Sequence, residues 1–176
     1  MHASNAFYDR LIQIEGFETM SITKVAQRIQ RSAYPDAYAR HEPQARVIAS
    51  ALSGYSVASF GCRLRAVATA TGTRPGSDGL TGRAHALAQA ATEETGQPPA
   101  GAVGAAGTTA RFTVTGAQGQ RRGWSLAQWA VARAGGLGVV SVQTDHRQWT
   151  RDGGDGWKPA GQGPAAGTVL ITVAAG

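Results

Sequence analysis

GWSLAQWAVARAGGLGVVSVQT, residues 123–144, joins two periodicities without a break. Trp124, Ala127 and Val131 recur at helical spacing, which predicts a helix with one buried stripe. Gly135 and Gly136 end that pattern, and VVSVQT then reads as a strand. ARFTVT (110–115) before the helix is a further strand, with Phe112 and Val114 on one face, and TVLITV (168–173) is a closing one. A second helix is predicted from Thr81 to Thr95, with Ala84, Leu87, Ala88 and Ala91 inward and Gly96 as its stop. Residues 80–176 are therefore expected to form a small mixed sheet with two helices, an α+β domain. GQPPAGAVGAAG (96–107) reads as a long loop, and Trp149 and Trp157 fall in another. GAVGAAG is no phosphate loop, because it lacks the lysine and hydroxyl that such a loop places after its glycines.

Upstream, TATGTRPGSDG (69–79) is rich in small residues and punctuated by Gly and Pro, so residues 55–79 read as a linker. Residues 1–54 read as three short helices. Phe7, Leu11 and Ile14 make the stripe of the first, with Ser4 able to cap it and Gly16 to stop it. Ser21 can cap the second, whose stripe is Ile22, Val25, Ala26 and Ile29. Pro35 disfavours helix in the residue before it, so this helix is expected to end near Ala33. Pro43 suits the first turn of the third. Val47, Ile48, Ala51 and Leu52 form that helix's apolar face, and Gly54 closes it. About 50 residues bury too little to be more than marginal alone, so these helices are expected to lean on the second half or on a partner chain.

Of 176 residues, 17 are Lys or Arg and 11 are Asp or Glu, a net charge of +6. Lys24 and Lys158 are the only lysines, and each side of Leu80 carries +3. Charge this evenly spread provides no concentrated basic face, so nucleic-acid binding is not expected. No apolar run reaches the ~20 residues of a membrane span. The first dozen residues show no charged-then-apolar pattern, so no signal peptide is expected. Cys62 is the only cysteine and can form no disulfide within the chain; a cytosolic thiol and half of a bridge to sequence outside it both fit. No internal repeat is present.

NAFYDRLIQIEGFETMSITKVAQRIQRSAYPDAYARHEPQAR (5–46) resembles the end of an actinobacterial lysozyme-like, or transglycosylase-like, cell-wall domain. The most specific piece is QRSAYPDAY (30–38), similar to that family's Gln-Arg-Ser-aromatic-Pro-acid-Ala-Tyr signature. The resemblance implies an incomplete helical bundle, with Gln30, Arg31, Ser32, Tyr34 and Tyr38 near a glycan groove. GLTGRAHALAQAA (79–91) and RRGWSLAQWAVARAGGLGVVSVQTDHRQWTRDGGDGWKP (121–159) resemble a second family, the zinc D-alanyl-D-alanine carboxypeptidases with their Hedgehog-like fold.

Neither resemblance brings its catalytic groups. The lysozyme-like families keep their glutamate on a helix upstream of the segment matched here. Glu15, Glu18 and Glu42 sit in no motif that suggests a carboxylic acid with a raised pKa beside a scissile bond. A catalytic zinc needs about three protein ligands, and neither GAAGTTARFTVT nor GTVLITV holds a histidine or an acid. His2, His41, His85 and His146 do not complete a set, and TDHR (144–147) suits a turn. No catalytic residue, metal or cofactor is expected.

Among the tryptophans, Trp124 or Trp129 is expected to be buried by the helix stripe. Trp149 and Trp157 read either as core or as a sugar-stacking platform, and of the four they are the better ligand candidates. Tyr34 and Tyr38 likewise read as a packed corner or as groove-lining residues. Together these features predict a non-catalytic accessory module, or fragment, of a peptidoglycan-associated envelope protein with weak glycan binding. The partner would be peptidoglycan or an envelope protein, and export would depend on a longer protein. A protein–protein interaction module and a hydrolase with an unrecognised site are the alternatives.

Overall fold

The computed structural model describes residues 2–31, 39–68, 74–154 and 156–175, and the chain divides into two compact units, 1–47 and 48–176. In the first unit, α1 (His2–Leu11) is followed by a 3₁₀ turn (Phe17–Thr19), α2 (Ile22–Gln30), a second 3₁₀ turn (Ala39–His41) and the start of α3 (Glu42–Leu52). Gly16 makes the left-handed turn after α1 with φ 72°. Val25 and Ile29 are buried, whereas Ile22 is exposed. Phe7, Leu11, Phe17, Met20 and Val25 border a cavity of about 210 Å³, so the apolar stripes meet without filling the space between them. One expected boundary moves and one expected cap makes no bond. α1 begins at His2, which leaves Ser4 inside the helix, and Ser21 flanks α2 without a side-chain capping bond.

The second unit contains the end of α3, then α4 (Gly82–Thr95), β1 (Gly101–Val103), β2 (Thr109–Thr113), α5 (Gly119–Ala132), α6 (Ala134–Leu137), β3 (Val139–Thr144), β4 (Arg147–Thr150), β5 (Lys158–Pro159) and β6 (Thr168–Val173). The α+β class is as expected, but the sheet is not mixed. Its order is β1-β2-β6-β3-β4-β5, and every neighbouring pair is antiparallel. β2 and β3 run in the same direction, as a strand–helix–strand crossover requires. The last strand, β6, inserts between them and turns both pairings antiparallel.

Alternation along the strands sets the core. Val169, Ile171 and Val173 of β6, Ala110 and Phe112 of β2 and Val142 of β3 are buried with the helices on one face. Thr168, Leu170 and Thr172 take the other. β1 lies inside the stretch expected to be a loop, and β4 and β5 inside the tryptophan loop. β3 and β4 are joined by a two-residue turn, Asp145–His146, with φ 50° and 55°; both values are left-handed, as a tight hairpin requires. α4 matches its prediction closely: Thr81 caps it by accepting from Ala84 N, and Gly96 ends it at φ 68°.

Residues 54–68 are a strap on the core, not a linker. Phe60, Cys62 and Leu64 pack inward, with exposed residues between them. Leu64 N donates to Arg151 O at 3.2 Å, and Ser59 N and Phe60 N donate to the Gln128 side chain. The boundary expected after residue 54 therefore falls within α3, after Val47. Val47 and Ile48, expected on the apolar face, are exposed, while Ala51 is buried. Gly54 closes α3 as expected, with φ 79°, and a Cβ there would overlap the Arg121 carbonyl. Residues 69–73 of the expected linker lie outside the described residues, and its end turns into the second unit with Gly76 N donating to Leu80 O at 2.8 Å.

Candidate functional site

Gln30 and Arg31 come together at the end of α2. Gln30 is its last residue, and Arg31 is its C-cap, in the left-handed region at φ 50° with its N–H on Gln27 O. That conformation usually selects glycine, since a Cβ is strained there by about 1 kcal/mol. Arg10 near the end of α1, Gln13 just beyond it and Arg28 on α2 join these two around a groove of about 560 Å³. α1 and α2 pack on each other, so their C-terminal ends supply the walls. Ile14 and Ile29 provide the apolar part of the lining, and among the described residues no carboxylate lines it.

Among the described residues, Arg10, Arg28 and Arg31 make no ion pair. Three guanidinium groups and two primary amides therefore face one space. A guanidinium presents a planar fork of donors that matches a carboxylate or phosphate. The amides add donors and acceptors suited to hydroxyls and peptide groups. Such a groove presents groups complementary to anions, hydroxyls and amides. Ser32, Tyr34 and Tyr38, assigned to the same region from sequence, lie outside the described residues.

Trp149 and Trp157 do not form a platform. They are 1% and 8% exposed, and their Nε1–H groups donate to Cys62 O at 3.2 Å and Phe60 O at 2.9 Å. Trp157 also meets Trp124 edge to face, with ring centroids 5.0 Å apart. The strap supplies the carbonyls that let these indoles enter the core with their polar edge satisfied. Trp124 is buried as expected and donates to Asp145 Oδ2 at 3.0 Å. Trp129 is half-buried and donates to Glu94.

A second groove, of about 540 Å³, lies between α4 and the chain entering β1. Leu80, Ala88 and Pro99 give it an apolar lining, and Asp78, His85 and Glu93 are its titratable groups. His85 Nδ1 lies 2.7 Å from Asp78 Oδ2. Asp78 also accepts from Leu80 N at 3.0 Å, and the His85 bond, followed by this one, holds its carboxyl below the ordinary value. Nothing in the spacing of the four histidines connects His85 with Asp78. The signal available was Asp78 before a capped helix, with His85 on that helix's first turn.

A histidine–aspartate pair can act as a base only on a proton within reach. The hydroxyl lining this groove, Thr92, already donates to Ala88 O at 2.9 Å. Glu42 pairs with Arg46 one turn along α3. Among the described residues, no three His, Cys, Asp or Glu side chains gather as a metal site would require. No helix among them is long and apolar enough to cross a membrane. Comparison with family models, curated proteins and solved structures finds no match.

Proposed function

We propose that this chain is a non-catalytic accessory module of the cell envelope whose helical unit binds peptidoglycan through the groove between α1 and α2. The observation that carries this reading is the groove's composition: Arg10, Arg28, Arg31, Gln13 and Gln30, with no carboxylate among the described lining residues. Peptidoglycan offers the complementary chemistry, since its peptide stems end in carboxylates and its glycan strands are dense in hydroxyl and amide groups. Gln30 and Arg31 belong to the QRSAYPDAY stretch that resembles the cell-wall domains, so both lines of support meet at the same residues. The lysozyme-like and peptidase-like ancestry, and a place in the envelope as part of an exported protein, belong to this proposal. Trp149 and Trp157 have no part in it.

The test is co-sedimentation of the purified chain with insoluble peptidoglycan at low and moderate salt. The wild type is compared with a variant carrying Arg10→Ala, Arg28→Ala and Arg31→Gly. The amide hydrogen bonds of Gln13 and Gln30 and the apolar contacts of Ile14 and Ile29 are not screened by salt, so wild-type binding should persist in part at moderate salt. The variant should lose it while keeping its circular-dichroism spectrum. Equal sedimentation of the two chains, or wild-type binding abolished by moderate salt, sinks the reading.

A further inference from the structure

We propose that the groove between α4 and β1 takes an extended peptide segment of alternating apolar and basic residues, which adds to the sheet as a strand beside β1. The sheet's two edges differ. One is β5, whose two residues, Lys158 and Pro159, blunt it: the proline has no N–H to offer, and the lysine brings a charge. The other is β1, Gly-Ala-Val, which among the described residues pairs with β2 alone and has no charged residue or proline along its length.

At the start of β1, Gly101 takes φ +141°, and nothing lies within 4 Å of where its Cβ would stand. Gly104, just past the strand, is equally open. Glycine at a strand end beside open space is where another backbone can approach closely. Main-chain hydrogen bonds along such an edge supply affinity, and pockets beside it select alternate side chains. Here Pro99, with the buried Leu80 and Ala88 forming the floor behind it, offers the apolar contact for alternate residues.

Charge selects the intervening residues. Asp78 and Glu93 line this groove together with His85, and no lysine or arginine does. In a chain of net charge +6 this inverts the surroundings and favours a basic ligand over an acidic one. Glu93 has no ion-pair partner among the described residues, so its carboxylate is available to a ligand cation.

The probe is a fluorescent eight-residue peptide of alternating valine and lysine, titrated into the intact chain and followed by anisotropy. Three controls accompany it: the valine–glutamate counterpart, a valine–lysine peptide N-methylated at alternate amides, and the Glu93→Lys variant. The expected result is binding of the valine–lysine peptide, with each control weaker by roughly tenfold or more, the scale of one or two lost hydrogen bonds or a reversed contact charge. Failure of the valine–lysine peptide to bind overturns the proposal. So does an N-methylated peptide that binds equally well, since strand addition needs those amides. Undiminished binding to the Glu93→Lys chain places the peptide elsewhere and overturns it too. Arg28→Ala, in the α1–α2 groove, leaves the titration unchanged, which separates this site from peptidoglycan binding.

Discussion

Gln128, fully buried in the middle of α5, accepts the N–H of Phe60 at 2.8 Å across 68 residues of sequence. The same oxygen takes Ser59 N at 3.0 Å, while Nε2 donates to Ala51 O at 2.6 Å and Ser56 O at 3.0 Å. One amide thus joins the end of α3 to the strap. Gln128→Leu keeps similar bulk but strands the N–H groups of Ser59 and Phe60, while Ala51 O keeps the Gly54 N–H and Ser56 O keeps the Ser59 hydroxyl. The cost should be about 3 kcal/mol, because buried unpaired groups forfeit their hydration as well as their bond. Urea unfolding of the two chains measures it, and a loss below about 1 kcal/mol would show that water replaces the amide.

Trp149→Phe separates the two readings of that residue. As a core indole it leaves Cys62 O without its donor and opens a small cavity, a loss of about 2 kcal/mol, with sedimentation on peptidoglycan unchanged for the folded chain. Weakened sedimentation at unchanged stability would restore the sugar-stacking role.

Arg31→Gly should split stability from binding. Glycine relieves the left-handed strain at φ 50°, so the helical unit should gain about 1 kcal/mol. Removing one guanidinium from the groove should weaken peptidoglycan binding. A variant that loses both stability and binding would mean that the arginine side chain holds the helix end together by its packing.

The Asp78–His85 pair makes a prediction about pH. The histidine hydrogen bond lowers the Asp78 carboxyl below its ordinary value of 3.8. With the folded value below the unfolded one, the pair's contribution is complete above the ordinary carboxylate range. It is lost as pH falls through the lowered value. Carboxyl-selective NMR should find Asp78 titrating below 3.8 in the wild type and moving upward in His85→Ala. An Asp78 titration that His85→Ala leaves in place would contradict the assignment of cause.

Burial pushes the Cys62 thiol above its ordinary 9.0, against a smaller opposing pull from Arg151. Since the thiolate is the nucleophile, iodoacetamide should modify native Cys62 several-fold more slowly than the same residue in urea. Equal rates would mean that the strap opens readily around Leu64 and Arg65.

Local periodicity was sufficient for much of the second unit. Thr81, the spacing of Ala84, Leu87, Ala88 and Ala91, and Gly96 specify a helix, its buried face and both its ends, because each needs only neighbours within a turn or two. The alternation of TVLITV and the stripe of Trp124, Ala127 and Val131 specify which faces turn inward for the same reason. Phe60, Cys62 and Leu64 carried a period of two that glycine and proline further along outweighed, and so the strap was read as a linker.

Which elements meet was decided only in three dimensions. Nothing near β6 says that it will lie between β2 and β3 rather than at an edge; the competition to bury Val169, Ile171 and Val173 on both sides decides that. The glycines and charges around Trp149 and Trp157 pointed to solvent, yet distant carbonyls at Cys62 and Phe60 satisfy their N–H groups and allow burial. Arg10 and Arg28 read as scattered charge, and the packing of α1 on α2 gathers them with Arg31. The sequence by itself determined the faces of its helices and strands. The tertiary structure decided their neighbours, because a polar edge can be buried, or a charge concentrated, only where residues far apart in the chain arrive together.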